Sequence, residues 1–298
     1  MQATLSFKNS TNVRLIALQG LRHLALPLLG RVAPSLLLDW LERRFLTPER
    51  HDWPEAERAW LASAQRGSLY TVGLPVADWN FQHVQTYRWG DDGLPKVVLL
   101  HGWGGRATQL GPFIQPLLEA GYQVHALDLP GHGHSAGRRS SVLHALNAFE
   151  RLIREIGPVH GVVAHSMGGG VLIKALSQGV PVQRAVLVAP NGDLGLYSRI
   201  VARMLGLSEK VRLALQQRLE WRIGVRWDEI NSLNLAPSLR TPALVMHDHQ
   251  DREIPHAMGE SIAAAWPGAR LISTAGLGHK RILKDDHVVA QTVAFLRG

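Results

Sequence analysis

A chain of 298 residues with 46% hydrophobic and 19% charged residues is long and apolar enough to bury a large core, which excludes a disordered or fibrous protein. It contains no cysteine, so disulfide stapling, thiolate metal sites and cysteine nucleophiles are excluded as well. The formal net charge of +8 comes mostly from arginine scattered along the chain, with pairs at Arg43-Arg44 and Arg138-Arg139; with no recognised nucleic-acid motif, no nucleic-acid partner is expected.

Residues 1-66 read as a helical N-terminal extension. Leucines crowd the stretch from Leu15 to Leu29 and return at Leu36, Leu37, Leu38 and Leu41. Arg14, Arg22, Arg31, Pro27 and Pro34 interrupt them, so no uncharged run approaches the roughly 18 residues of a membrane span. The order of a secretory signal, an apolar core leading to a small-residue cleavage site, is also missing. Two readings stand: helices packed over the main domain, which is the expected one, or an amphipathic segment making a peripheral membrane contact. The expected location is cytoplasmic, with membrane association as the alternative.

From Phe81 onward strand-like and helix-like segments alternate. Tyr70 to Val72 and Phe81 to Trp89 are expected as antiparallel strands. Lys96 to His101 reads as a buried strand, Thr108 to Ala120 as a helix ending at Gly121, and Gln123 to Asp128 as the next strand. A Gly-rich loop and a helix over Ser141 to Ile156 follow, then the strand Val159 to Val163 and its helix. Arg184 to Ala189, Ala243 to His247 and Ala269 to Thr274 are further strands, with helices around His256 to Trp266 and Asp286 to Leu296. Strands separated by helices of this length imply an α/β fold with a mostly parallel sheet and helices on both faces. The alternation breaks once, between Pro190 and Pro242, where helical composition runs too long for a connection. Residues 67-190 and 237-298 therefore form the expected core, and 191-236 an inserted helical lid over the carboxyl ends of the strands.

Ser166 lies in Ala164-His165-Ser166-Met167-Gly168, between a strand and a helix-like run. A serine on a sharp strand-to-helix corner exposes its hydroxyl, and small residues two before and two after it permit close approach. Glycine is usual at the first of these positions, so Ala164 is a departure. A serine hydroxyl needs an imidazole to take its proton, and the imidazole needs a carboxylate to fix its tautomer. The chain offers both downstream: His247-Asp248-His249-Gln250-Asp251 after one strand, and Gly276-Leu277-Gly278-His279 after the last.

In this order of motifs the chain resembles the α/β-hydrolase family, of the serine carboxylesterase type. The resemblance covers Phe81 to Gly298. It implies Ser166 as nucleophile, His279 as base and Asp251 as acid, with Asp248 and then Asp193 as rival acids. His101-Gly102-Trp103-Gly104-Gly105 is similar to the family's oxyanion loop, which puts the amide of Trp103 beside that of Met167 in an oxyanion hole and the Trp103 ring beside the acyl pocket. The loop Asp128 to Ser135 resembles a structural loop of the family; His132 and His134 find no further ligand set there. No metal and no cofactor are expected, and His165 is read as a packing residue or one that supports a site residue.

The expected activity is hydrolysis of small-molecule carboxylic esters through an acyl-enzyme. Acyl transfer, lipase, thioesterase and carbon-carbon bond hydrolase activities share the same residues, and a non-catalytic binding module on this fold is the reading from another class. Serine at 166 argues against the dehalogenase and epoxide-hydrolase relatives, whose nucleophile is aspartate.

Overall fold

A computed structural model describes residues 26, 28–71 and 82–298. The parts of the leucine-rich stretch before Leu26, and the strand ends expected at Val72 and Phe81, lie outside the described residues. Of the described residues, those up to Arg44 together with Gly195–Leu219 form one compact unit, and those within Phe45–Leu194 and Glu220–Gly298 form the other. The second unit holds the sheet, and it takes in residues 45–66. No helix among the described residues is long and apolar enough to cross a membrane.

The sheet has eight strands: β1 (Gln65–Thr71), β2 (Gln82–Trp89), β3 (Lys96–Leu100), β4 (Gln123–Leu127), β5 (Val159–His165), β6 (Val182–Val188), β7 (Ala243–Asp248) and β8 (Arg270–Thr274). Their spatial order is β1-β2-β4-β3-β5-β6-β7-β8. β1 and β2 pair antiparallel, β2 joins β4 antiparallel, and every later pairing is parallel. β4 and β7 are buried along their whole length, as they must be when helices cover both faces of a parallel sheet. β1 starts five residues before the expected Tyr70, with Gln65 opposite Arg88; its first four residues are exposed and polar, so no apolar alternation marks them.

The helices are α1 (Pro34–Leu46), α2 (Glu55–Ser63), α3 (Ile114–Glu119), α4 (Val142–Ile156), α5 (Met167–Ser177), α6 (Leu194–Met204), α7 (Glu209–Ile223), α8 (Ser232–Leu235), α9 (His256–Ala265), α10 (Gly278–Arg281) and α11 (Asp286–Arg297). The helix expected over Thr108 to Ala120 is divided: Ala107–Phe113 is a 3-10 segment with Pro112 inside it and non-helical dihedrals at Leu110, and only α3 is α-helical. Proline has no N–H for the helical ladder, and its ring crowds the preceding turn. α4 is capped by the Ser141 side chain and ends at Gly157, whose φ of 82° reverses the chain. Between β6 and β7 the chain is helical, in α6, α7, α8 and two 3-10 turns.

Candidate active site

Ser166 occupies the turn between β5 and α5, with φ 53° and ψ −121°. A positive φ in a residue with a Cβ is strained, and the surroundings enforce it. The Ser166 N–H donates to Val188 O at 3.0 Å, while its carbonyl accepts from Gly169 N–H at 2.9 Å and Asn191 N–H at 3.0 Å. The corner is also packed too closely for larger residues. A Cβ on Gly168 would stand 2.6 Å from the Leu100 carbonyl oxygen, and one on Gly102 would stand 2.7 Å from Ser166 Cβ. Ala164, by contrast, sits in β5 fully buried between Leu100 and Leu187, so its methyl group is packed in the sheet rather than forced into the turn.

The loop after β7 brings the acid, and the loop after β8 the imidazole, to Ser166. His279 Nε2 is 3.0 Å from Ser166 Oγ, and His279 Nδ1 is 2.7 Å from Asp251 Oδ2. Because the carboxylate can only accept, Nδ1 carries the proton and Nε2 presents its lone pair to the serine hydroxyl. Asp251 Oδ1 accepts from the N–H groups of Glu253 and Ile254 at 2.8 and 2.9 Å. Burial pushes the Asp251 carboxyl up, but hydrogen bonds from His247 and His279 outweigh it and hold the group well below the usual carboxylate range. Asp251 is therefore an anion beside His279 at neutral pH.

Asp248 serves a different neighbour. Its Oδ2 accepts from Thr274 Oγ1 at 2.8 Å and Leu277 N–H at 3.0 Å, and its Oδ1 accepts from Gln250 N–H at 2.9 Å. It ties the loop that carries His279 to the end of β7. Burial raises its pKa and these hydrogen bonds lower it, with a net shift downward.

His247 is the residue that sequence reasoning missed. Its Nε2 lies 3.1 Å from Asp251 Oδ2 and 3.1 Å from Ile254 O. Both partners are acceptors, so Nε2 carries the proton. The side chain is wholly buried, with Gly259 close against the ring. The one available signal was a histidine ending a strand four residues before the acid. His165, the residue before the serine, places Nε2 3.0 Å from the His279 carbonyl oxygen. Burial lowers its pKa to about 3, so it stays neutral.

The loop after β3 faces the serine from the other side. His101 Nε2 accepts from Leu129 N–H at 2.9 Å, which leaves Nδ1 to donate to Gly102 O at 2.7 Å. Burial lowers the His101 pKa to about 4, consistent with this neutral tautomer. Gly105 N–H also donates to Gly102 O, at 3.1 Å. In a trans peptide the carbonyl and the next N–H point in opposite directions, so these two bonds fix the direction of the Trp103 amide. Met167 is the first residue of α5, where backbone amides have no acceptor within the helix. The Trp103 ring meets the His132 ring edge to face at 5.3 Å.

The loop from Asp128 to Ser135 is held from within. Asp128 accepts from Ala107 N–H, His134 N–H and the Tyr87 hydroxyl, each at 2.8 Å. His134 stacks on Trp53 at 4.3 Å. Among the described residues no group of three or more His, Cys, Asp or Glu side chains is placed to hold a metal ion.

The mostly parallel eight-stranded sheet with helices on both faces is the α/β-hydrolase fold. Residues 97–233 match the model of the alpha/beta hydrolase family. The chain is 33% identical over 229 residues to the dihydrolipoyllysine-residue acetyltransferase component of the acetoin cleaving system of Cupriavidus necator, a match covering 63% of this chain and 59% of that one. It is 28% identical over 239 residues to the pimeloyl-[acyl-carrier protein] methyl ester esterase of Xanthomonas oryzae pv. oryzae, covering 67% of this chain and 93% of that one. Its fold is similar to that of the Pyrococcus furiosus esterase PF2001, with a TM-score of 0.61, 20% identity, and coverage of 85% and 97% of the two chains.

Proposed function

We propose that the protein is a serine hydrolase that cleaves carboxylic esters through an acyl-enzyme on Ser166. His279 Nε2 takes the hydroxyl proton as Oγ attacks the ester carbonyl carbon. The amides of Trp103 and Met167 receive the oxyanion; losing one such donor typically costs about 3 to 4 kcal/mol in the transition state. The tetrahedral intermediate collapses, and the alcohol leaves with the proton from His279. Water then gives a proton to His279 and attacks the acyl carbonyl, and Ser166 departs with that proton, releasing the acid. Asp251 keeps His279 in the productive tautomer and stabilises its cation. Trp103 lines the acyl pocket, and residues 191-236 act as a lid, a role assigned from their position after β6.

The observation that carries this reading is the chain of two hydrogen bonds, 3.0 and 2.7 Å, from Ser166 through His279 to Asp251. The esterase name of the Xanthomonas relative supports it. The test is a panel of esters of increasing acyl length with wild type and Ser166→Ala. Turnover by wild type and none by Ser166→Ala is expected; full activity in Ser166→Ala would refute the assignment.

A second reading, acyl transfer, is favoured by the acetyltransferase name of the Cupriavidus relative. It uses the same acyl-enzyme but resolves it with an alcohol or thiol. Product analysis with competing acceptors separates the two: free acid as the sole product supports hydrolysis, and an acylated acceptor supports transfer.

A further inference from the structure

The charge of the molecule is segregated. Residues 45–194 and 220–298 carry 21 Lys and Arg against 21 Asp and Glu, so they contribute nothing to the net charge of +8. The whole excess lies in residues 1–44 and 195–219 of the sequence, and the described part of these stretches, 28–44 and 195–219, carries eight basic residues against three acids, Asp39, Glu42 and Glu209. Those acids are already compensated inside their own unit. Arg218 pairs with both Asp39 and Glu42, and Arg212 holds Glu209 at 2.7 Å. Meanwhile Arg31, Arg43, Arg44, Arg199, Arg203 and Lys210 are exposed.

The same unit exposes an apolar stripe. Leu28, Val32, Leu36 and Trp40 are 60, 77, 61 and 43% exposed, and they recur every fourth residue, the spacing that aligns side chains along one helix face. The helical hydrogen bonding continues across the break at Ala33, from Ala33 N–H to Leu29 O and from Leu37 N–H to Ala33 O. Leu37 and Leu41, by contrast, are buried. The segment is therefore apolar on two faces, and the fold covers one of them. A helix packed on a water-soluble domain turns charged residues outward instead. Met204 and Leu213 add further exposed apolar surface to this unit.

We propose that this unit is a peripheral docking surface for anionic phospholipid bilayers. Leu28, Val32, Leu36 and Trp40 enter the boundary between headgroups and acyl chains, while Arg31, Arg43 and Arg44 lie at the level of the lipid phosphates. Trp40, one turn before Arg43 and Arg44, suits the interface where tryptophan concentrates. A nucleic acid would use the cations but leave the stripe in water. A second copy would bring like charge against like charge.

The test is flotation of the full-length protein with vesicles of phosphatidylcholine alone and of phosphatidylcholine with about one third phosphatidylglycerol. The protein is expected to float with the anionic vesicles only, and less at high salt. Arg43→Gln with Arg44→Gln is expected to weaken binding about thirtyfold, and Leu36→Ser with Trp40→Ser about tenfold or more. Leu28→Ser with Val32→Ser repeats the apolar test at the other end of the stripe, in case the first pair does not fold. Hydrolysis of a water-soluble ester stays at the wild-type level in every folded variant. No binding to anionic vesicles, equal binding to both compositions, or wild-type binding by both serine pairs would overturn the proposal. So would a dimer that the serine pairs abolish, in a protein that ignores vesicles.

Discussion

His247 Nε2 lies 3.1 Å from the same Asp251 oxygen that receives His279 Nδ1 at 2.7 Å. A second, buried imidazole thus stands behind the acid and restricts its rotation. If Asp251 orients the base, His247 is a positioning residue that acts through it. His247→Ala is expected to lower kcat about tenfold to a hundredfold, the worth of one hydrogen bond to a charged group, with KM near wild type. His247→Gln, which restores a donor, should recover most of the loss. Equal losses in both variants, or a change in KM alone, would assign His247 to packing.

Asp251 and Asp248 lie three residues apart and hold different partners, His279 and His247 for the first and Thr274, Leu277 and Gln250 for the second. Asp251→Asn is expected to reduce kcat by about 10⁴-fold, because an amide no longer enforces the Nδ1–H tautomer of His279, with little change in melting temperature. Asp248→Asn disturbs the bonds to Thr274, Leu277 and Gln250. It should cost about 1 to 3 kcal/mol of stability and a far smaller part of kcat. Kinetics and denaturant titration of the two variants, read side by side, check this.

The two small residues flanking Ser166 are also unequal. Gly168→Ala would press a methyl group against the Leu100 and His101 carbonyl oxygens, where its Cβ would stand at 2.6 and 2.8 Å. A loss of about 2 to 4 kcal/mol is expected, with a fall in activity as the serine shifts. Ala164→Gly only removes a packed methyl group in β5 and should cost about 1 kcal/mol. Thermal melts distinguish the two, and comparable losses would contradict the packing described.

Five buried histidines make the fold sensitive to acid. Burial lowers His101 and His125 to about 4, and His132, His144 and His165 to about 3. Unfolded, each takes up a proton near pH 6.5, so between pH 6.5 and about 4 the unfolded chain binds more protons than the folded one. Stability therefore rises with pH across this window and is lost as pH falls, by about 1.4 kcal/mol per pH unit for each histidine that remains neutral. Asp251, also lowered, adds to the loss further down, as it becomes protonated below the ordinary carboxylate range. Denaturant titrations at pH 7, 6, 5 and 4 should show this decline, and a flat profile would contradict the burial.

Much of the fold was legible because buried strands such as β3, β5 and β7 are short apolar runs between helices, a pattern that burial itself imposes. β1 was half hidden because its exposed edge carries Gln65, Arg66 and Ser68. The strand-to-helix corner at Ser166, and the acid and histidine loops after β7 and β8, could be read because each follows a strand end. His247 could not, since inside Ala243–Asp248 its role depends on which way one side chain turns. The segregation of charge was equally hidden: 28–44 and 195–219 are distant in sequence, and only folding collects their arginines into one unit.

The central claim is that Ser166 is the nucleophile, and the most direct test is to locate the adduct formed with a serine-directed phosphonate by peptide-mapping mass spectrometry. The adduct is predicted on the peptide containing Ser166, at one per chain, slowed strongly in His279→Ala and absent in Ser166→Ala. An adduct on another residue, or undiminished labelling of Ser166→Ala, would contradict the account.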